Sequence, residues 1–228
     1  MTEPLAVLYE DAHVLAVDKP AGLLTQGRTG GEPTLEEAVR RHLAPGATYL
    51  GTVHRLDRPV SGVVLWARTP KAARRLSAQF AARETIKEYW AVVEPSASDP
   101  GPGAGVWDDW LAGSADAAGV VRVAEADSPL ARKAVTRYRT GQARRLPEGT
   151  AWLLLWPETG RTHQLRAQAA LRGCPVVGDT RYGAERGFPR GIALHAHALT
   201  FRHPVTRKEL TLTAPPPGIW EQAGIVVT

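Results

Sequence analysis

Residues 54 to 62, His54-Arg55-Leu56-Asp57-Arg58-Pro59-Val60-Ser61-Gly62, concentrate more reactive side chains than any other stretch of this chain. One carboxylate sits among two guanidiniums and an imidazole. Pro59 and Gly62 restrict and shape the backbone around it, since proline locks φ and glycine opens conformations closed to other residues. Two readings stand at this level. Asp57 is an ordinary surface aspartate paired with Arg55 or Arg58, an arrangement that contributes little. Alternatively it is a catalytic carboxylate, held on a rigid turn at a strand end.

A second dense motif, Thr159-Gly160-Arg161-Thr162-His163-Gln164-Leu165-Arg166, supplies the natural counterpart. A guanidinium such as that of Arg166 beside Asp57 would orient the carboxylate and balance its charge. Were the pair buried, each charge would need the other to be tolerable. Tyr89, between the two motifs in sequence, is either a core aromatic or a flat platform for a nucleobase.

These residues need elements to hold them. Val63 to Ala67 is apolar and β-branched enough for a buried strand, following a short run from Tyr49 to Val53. Leu5 to Tyr9 and His13 to Val17 form a hairpin that runs into the Asp18-Lys19-Pro20-Ala21-Gly22 turn cluster. Gly27 to Gly31 reads as a flexible loop. Thr34 with Glu37 makes a capping box for a helix from Leu35 to Leu43, ending near Pro45-Gly46. Thr69-Pro70 caps a second helix from about Lys71 to Glu84, with Leu76 and Phe80 on its buried face. Ile86 to Val93 is a strand whose alternation puts Lys87, Tyr89, Ala91 and Val93 on one face. A long loop from Pro95 to Gly105 follows. Strands are expected at Val106 to Ala112, Val120 to Ala124, Ala134 to Arg139 and Trp152 to Trp156. Thr162 caps a helix that stops at Gly173. After a turn-rich Gly178 to Gly183, strands come at Leu194 to Phe201 and Glu209 to Thr213, then a short terminal helix beyond Pro215-Pro216-Pro217. Many strands, few helices and short connections predict an α+β fold built on a mixed, largely antiparallel sheet, as a single domain over residues 1–228.

Composition narrows the function classes. The net charge of +5 and the predominance of arginine favour polyanionic partners. Cys174 is the only cysteine, so intrachain disulfides and cysteine-rich zinc sites are excluded. His195 and His197 share a strand face, but neither a His-x-x-x-His helix nor a cysteine partner supports a metal. Ser61-Gly62 lacks the Gly-x-Ser-x-Gly frame, and no Walker or Gly-x-Gly-x-x-Gly sequence implies a nucleotide cofactor. No carboxylate forms a second dense motif of the kind a glycosidase pair requires, and Asp179 reads as the organiser of its own turn. Met1-Thr2-Glu3-Pro4 carries no secretory signal and no apolar run reaches the ~20 residues of a membrane span, so a cytoplasmic protein is expected.

Taken together, His54-Arg55-Leu56-Asp57 with Ser61-Gly62, and Gly160 to Arg166, resemble the two signatures of the RluA-like pseudouridine synthases. Lys19-Pro20-Ala21-Gly22, Lys87-x-Tyr89, Gly178-Asp179-x-x-Tyr182-Gly183 and Leu194-His195-Ala196 through Phe201-x-His203-Pro204 follow in that family's order. The resemblance covers nearly the whole chain. It implies isomerisation of selected uridines in ribosomal or transfer RNA stem-loops, without cofactor or metal, by a monomer that flips the target base out of the stack. Asp57 matches the catalytic aspartate, Tyr89 the tyrosine that stacks on the target base, and Arg166 the arginine paired to the aspartate. Leu165 matches the apolar residue of the pocket, and Arg55 the arginine that fills the place of the flipped base. His54, Lys87 and Arg161, in the same motifs, are further substrate-binding candidates. Val60 departs from the usual threonine, removing a hydroxyl that could tie the turn to the Asp57 backbone, and Glu94-Pro95 replaces a common glycine. The small N-terminal RNA-binding domain of many relatives is expected to be absent. Two other functions stand beside this one: an RNA-binding or ribosome-assembly protein that keeps the fold without the activity, and, more distantly, a glycoside hydrolase.

Overall fold

The computed structural model describes residues 4–27, 31–46, 49–95, 103–113 and 120–227. The loops expected at Gly27 to Gly31 and at Pro95 to Gly105 fall mostly outside these residues. The chain forms two compact units, Met1–Lys87 with Ala196–Pro216, and Glu88–His195 with Pro217–Thr228. The fold is α+β, with mostly antiparallel strands and four α-helices among the described residues. None of those helices is long and apolar enough to cross a membrane.

In the first unit, β1 (Ala6–Glu10) and β2 (Val14–Lys19) make the expected hairpin, and β2 pairs antiparallel with β4 (Ser61–Ala67) from Val14↔Ala67 to Lys19↔Gly62. Every residue of β4 is buried. That explains why Val63 to Ala67 is continuously apolar rather than alternating: both faces of the strand are covered. Helix α1 (Leu35–Leu43) has the reciprocal Thr34–Glu37 capping box and buries Leu35, Val39 and Leu43, one residue per turn. Helix α2 (Pro70–Ala81) starts at the Thr69 cap with proline in its first turn. It lays Ala72 and Leu76 against Val63, Leu65 and Ala67 of β4, in a core shared with Leu199 and Phe201 of β10 (Leu194–Arg202) and Leu212 of β11 (Glu209–Thr213). The helix stops three residues earlier than expected, because Arg83 takes a left-handed conformation (φ 60°) that no α-helix continues through. Of the Tyr49 to Val53 run, only Gly51–Thr52 pairs as a strand, β3 against β4.

The second unit orders its strands β5-β9-β8-β6-β7. These are β5 (Ile86–Val93, entering from the first unit), β6 (Ala104–Gly113), β7 (Val121–Val123), β8 (Arg132–Thr140) and β9 (Ala151–Pro157). Strand β6 runs further than its sequence suggests, paired with β8 from Ala104↔Arg139 to Leu111↔Arg132. Helix α3 (Gln164–Leu171) packs over this sheet, with Ala167 against Leu111, Val121 and Ala134. Helix α4 (Ile219–Gln222) buries Trp220 near the chain's end.

Candidate active site

Asp57 lies in the connection between β3 and β4, half-buried, and the backbone on both sides of it is pinned. Before it, the Thr25 hydroxyl donates to the Leu56 carbonyl at 2.8 Å and accepts the Leu56 N–H at 3.2 Å. After it, the Arg58 carbonyl accepts the Gly22 N–H at 2.8 Å and the Lys19 ammonium at 3.2 Å. The Arg58 side chain returns a bond to the Gly22 carbonyl at 3.1 Å. Within the turn, the Val60 N–H donates to the Asp57 carbonyl at 3.1 Å. The turn is thus tied to the Asp57 backbone without a side-chain hydroxyl at position 60, and the Val60 side chain is buried.

Lys19 is fully buried, and its Nζ also donates to the carbonyls of Pro20 at 3.0 Å and Leu23 at 2.7 Å. A buried ammonium is tolerable only when its protons are satisfied in this way. The Lys19-Pro20-Ala21-Gly22 motif thereby acquires a physical purpose: it closes a polar knot that fixes the Asp57 turn to the end of β2. Its neighbour Asp18 is half-buried, and burial pushes its carboxyl up to about 6 despite the opposing pull of Lys19 and a bond from the Gly62 N–H.

His54 supports the turn from the other flank. Its Nε2 accepts the Leu65 N–H of β4 at 2.9 Å, and its ring stacks on Phe80 with centroids 4.9 Å apart. Accepting a backbone N–H requires an unprotonated Nε2. Burial, with a smaller contribution from the charge of Lys87, pushes the imidazole down to about 3. His54 is thus a neutral structural acceptor. Lys87 is itself pushed down to about 8, chiefly by burial and then by Arg83. Arg55 is exposed and makes no hydrogen bond or ion pair with the described residues.

Arg166 belongs to the second unit, on α3, and is buried. Its Nε and Nη2 donate to the two carboxylate oxygens of Asp179 at 2.6 and 2.8 Å, and its guanidinium lies over the Tyr182 ring at 5.0 Å. The turn is closed by the Asp179 backbone, whose carbonyl accepts the Tyr182 and Ala184 N–H groups at 2.9 and 3.1 Å, whereas the carboxylate, which the sequence suggests as the turn's organiser, makes no cap bond there and is taken by Arg166. Thr162 does not cap α3 either. The cap position is His163, left-handed at φ 52° and without a side-chain cap bond, its ring hydrogen-bonded to the Tyr182 hydroxyl at 3.0 Å. Helix α3 is held instead by two buried amides, one in each of its turns. The Gln164 amide donates to the Thr136 hydroxyl at 2.9 Å, that hydroxyl donates to Gln168 at 2.6 Å, and Gln168 donates to Asp109 at 2.7 Å. Arg161 joins this frame by donating to the Lys133 carbonyl at 2.9 Å, while Leu165 is buried and Tyr89 half-buried.

Sequence reasoning thus located the two dense motifs but missed Lys19, Thr25, Gln164 and Gln168 as the groups that hold them. A signal was available for Gln168 alone, an amide between Ala167 and Ala169, which folding buries only with partners; Lys19, Thr25 and Gln164 each have a polar neighbour and carry no such mark. His195 and His197, weighed as metal ligands, are found in other contacts. His195 is buried with its ring edge-on to Trp220, and His197 Nδ1 is hydrogen-bonded to the Ala214 carbonyl at 2.9 Å.

The human RNA pseudouridylate synthase domain containing 4 structure superposes with a TM-score of 0.74 at 25% identity, covering 96% of this chain and 92% of that one. An uncharacterised RNA pseudouridine synthase of Zymomonas mobilis subsp. mobilis is 35% identical over 96% of both chains. Ribosomal large subunit pseudouridine synthase D of Xanthomonas campestris pv. campestris is 37% identical over 94% of this chain, which spans 66% of that longer protein. The family model described as RNA pseudouridylate synthase matches residues 13–171, a span that contains Asp57, Tyr89 and Arg166, and the chain belongs to that family.

Proposed function

We propose that this protein isomerises uridine to pseudouridine in RNA, with Asp57 as the catalytic carboxylate. In that reaction the bond between uracil N1 and the sugar C1′ breaks, the base turns, and C5 is joined to C1′. C5 loses its proton and N1 ends up protonated. Nothing is oxidised or reduced, so the atoms balance without a cofactor. Asp57 acts on the target nucleotide as the N1 bond breaks. Tyr89 supplies the aromatic face on which the released base turns and helps remove the C5 proton, and Arg166 supplies the guanidinium. Leu165 lines the base pocket and Arg55 occupies the place the flipped base leaves, with Lys87 and Arg161 at the edge of the substrate site and His54 serving it indirectly, by supporting the turn that carries Asp57. A paired or stacked uridine must leave its helix to be reached, so base flipping precedes chemistry. The protein works as a monomeric cytoplasmic enzyme, with residues 1–228 as one catalytic domain.

The observation that carries this reading is the pinned turn. A half-buried carboxylate whose flanking carbonyls are held by Thr25, Lys19 and Gly22 is pre-organised to a degree that an ordinary surface aspartate has no need of. The relatives named for the large ribosomal subunit make ribosomal RNA the first substrate to try, with transfer RNA second. The basic surface binds the RNA backbone, so affinity falls as salt rises.

The test uses ribosomal and transfer RNA labelled with tritium at uridine C5, taken from cells lacking this gene. Purified protein is expected to release tritium to water and to leave pseudouridine at one or a few mapped positions. Tight RNA binding with no release from either pool would instead establish a binding protein that has lost the chemistry.

A further inference from the structure

We propose that Asp179 and Tyr182 are positioning residues that act through Arg166, clamping its guanidinium by a carboxylate on one side and an aromatic face on the other. The inference rests on the proposed role of Arg166 in pseudouridine formation. Its basis is the Thr180–Tyr182 3-10 turn, which brings residues three apart in sequence onto one side. Asp179 and Tyr182 have that spacing, and both reach Arg166.

Each contact is anchored in its turn. Asp179 is 2% exposed and Arg166 4%, so the bidentate pair is shielded from water on both partners. Two of the five guanidinium N–H groups are committed to this one carboxylate, which fixes the plane of the fork as well as its place. The Tyr182 ring is held by its hydroxyl, which accepts the Val121 N–H at 2.9 Å and is hydrogen-bonded to His163 at 3.0 Å. His163 is the left-handed residue at the start of the helix that carries Arg166. Tyr182 thus touches both the guanidinium and the cap of its helix, and a tilt of α3 is resisted at two points. The Gly178-Asp179-x-x-Tyr182-Gly183 motif is explained by this: the glycines, at φ 86° and 92°, bracket the turn and the two side chains between them serve one arginine.

The experiment measures single-turnover tritium release, RNA affinity by filter binding and thermal stability for Asp179→Asn, Tyr182→Leu, Arg166→Lys and the pairs with Arg166→Lys, on the C5-labelled RNA. Asp179→Asn is expected to slow release on the order of 100-fold, the scale of a small misplacement of a reacting group. Tyr182→Leu, which leaves the ion pair in place, is expected to slow it about 10-fold. RNA affinity should stay within about 2-fold, because the clamp orients and does not bind. In the Arg166→Lys background each change should add less than about 3-fold, since residues acting through one partner are not additive. Wild-type rates in both single variants, with Arg166→Lys slow, would overturn the clamp. So would losses that multiply in full in the Arg166→Lys background. Should Asp179→Asn not fold, the Tyr182→Leu cycle decides alone. A wild-type rate in Arg166→Lys would instead refute the proposed role of Arg166, a separate outcome.

Discussion

Replacing Lys19 by methionine removes the knot under the Asp57 turn while keeping the length and most of the apolar stem of the side chain. The ammonium donates to three carbonyls, of Pro20, Leu23 and Arg58. The Arg58 carbonyl keeps a second donor in the Gly22 N–H, so the loss there is partial. The carbonyls of Pro20 and Leu23 lose this donor, and an acceptor left unsatisfied in a buried setting costs about 1–3 kcal/mol. Removing the charge returns part of that, because a buried ammonium carries its own desolvation penalty. The net destabilisation expected is about 3 kcal/mol, equivalent to roughly 6–12 °C in Tm for a chain of this size. Because the same change loosens the residue after Asp57, single-turnover release should also fall, on the order of 10-fold or more at a temperature where the variant is folded. Thermal denaturation and tritium release measured on the same preparation test both parts. A Lys19→Met protein with wild-type Tm and wild-type rate would refute the reasoning that this buried lysine positions the turn.

Three further outcomes follow from the same unit. His54 has its folded-state pKa held near 3 against an ordinary 6.5, so the unfolded chain takes up the proton first; its contribution to stability is complete above about pH 6.5 and is lost as pH falls toward 3, at up to about 1.4 kcal/mol per pH unit, which urea denaturation across that range measures. Asp18 behaves in the opposite sense: its pKa of about 6 in the folded protein means the native state holds the proton longer, so stability declines as pH rises from about 4 to 6, and Asp18→Asn should raise Tm at pH 8 but not at pH 4. Gly62 sits at φ 115° with the Ala196 backbone directly where a Cβ would go, so Gly62→Ala should leave little folded protein by circular dichroism.

What the sequence made legible was local. The Thr34–Glu37 capping box, the Thr69-Pro70 start and the Ile86 to Val93 strand carry their signals within a few adjacent residues, and all three elements stand where those signals put them. The start of α3 was misread because a left-handed histidine held by a distant tyrosine has no compositional mark, whereas a threonine near a helix start has a familiar one. The partners that fix the two dense motifs were equally hidden. Lys19 reaches 39 residues along the chain to Arg58, Thr25 reaches 31 to Leu56, and Gln168 reaches 59 back to Asp109. Such pairings are set by how strands are ordered in the sheet, which periodicity does not encode. Asp179 was undervalued for a related reason: a carboxylate in a glycine-flanked turn suggests a turn former, and only its burial against Arg166 reveals the different use.

The most direct test of the account concerns Asp57. Asp57→Asn preserves size and most of the polarity and leaves the Thr25, Lys19 and Gly22 bonds to the turn's backbone in place. On C5-tritiated RNA that the wild-type protein converts, this variant is expected to bind within a few-fold of wild-type affinity and to release no tritium above background. Release at the wild-type rate would contradict the assignment of the chemistry to this carboxylate.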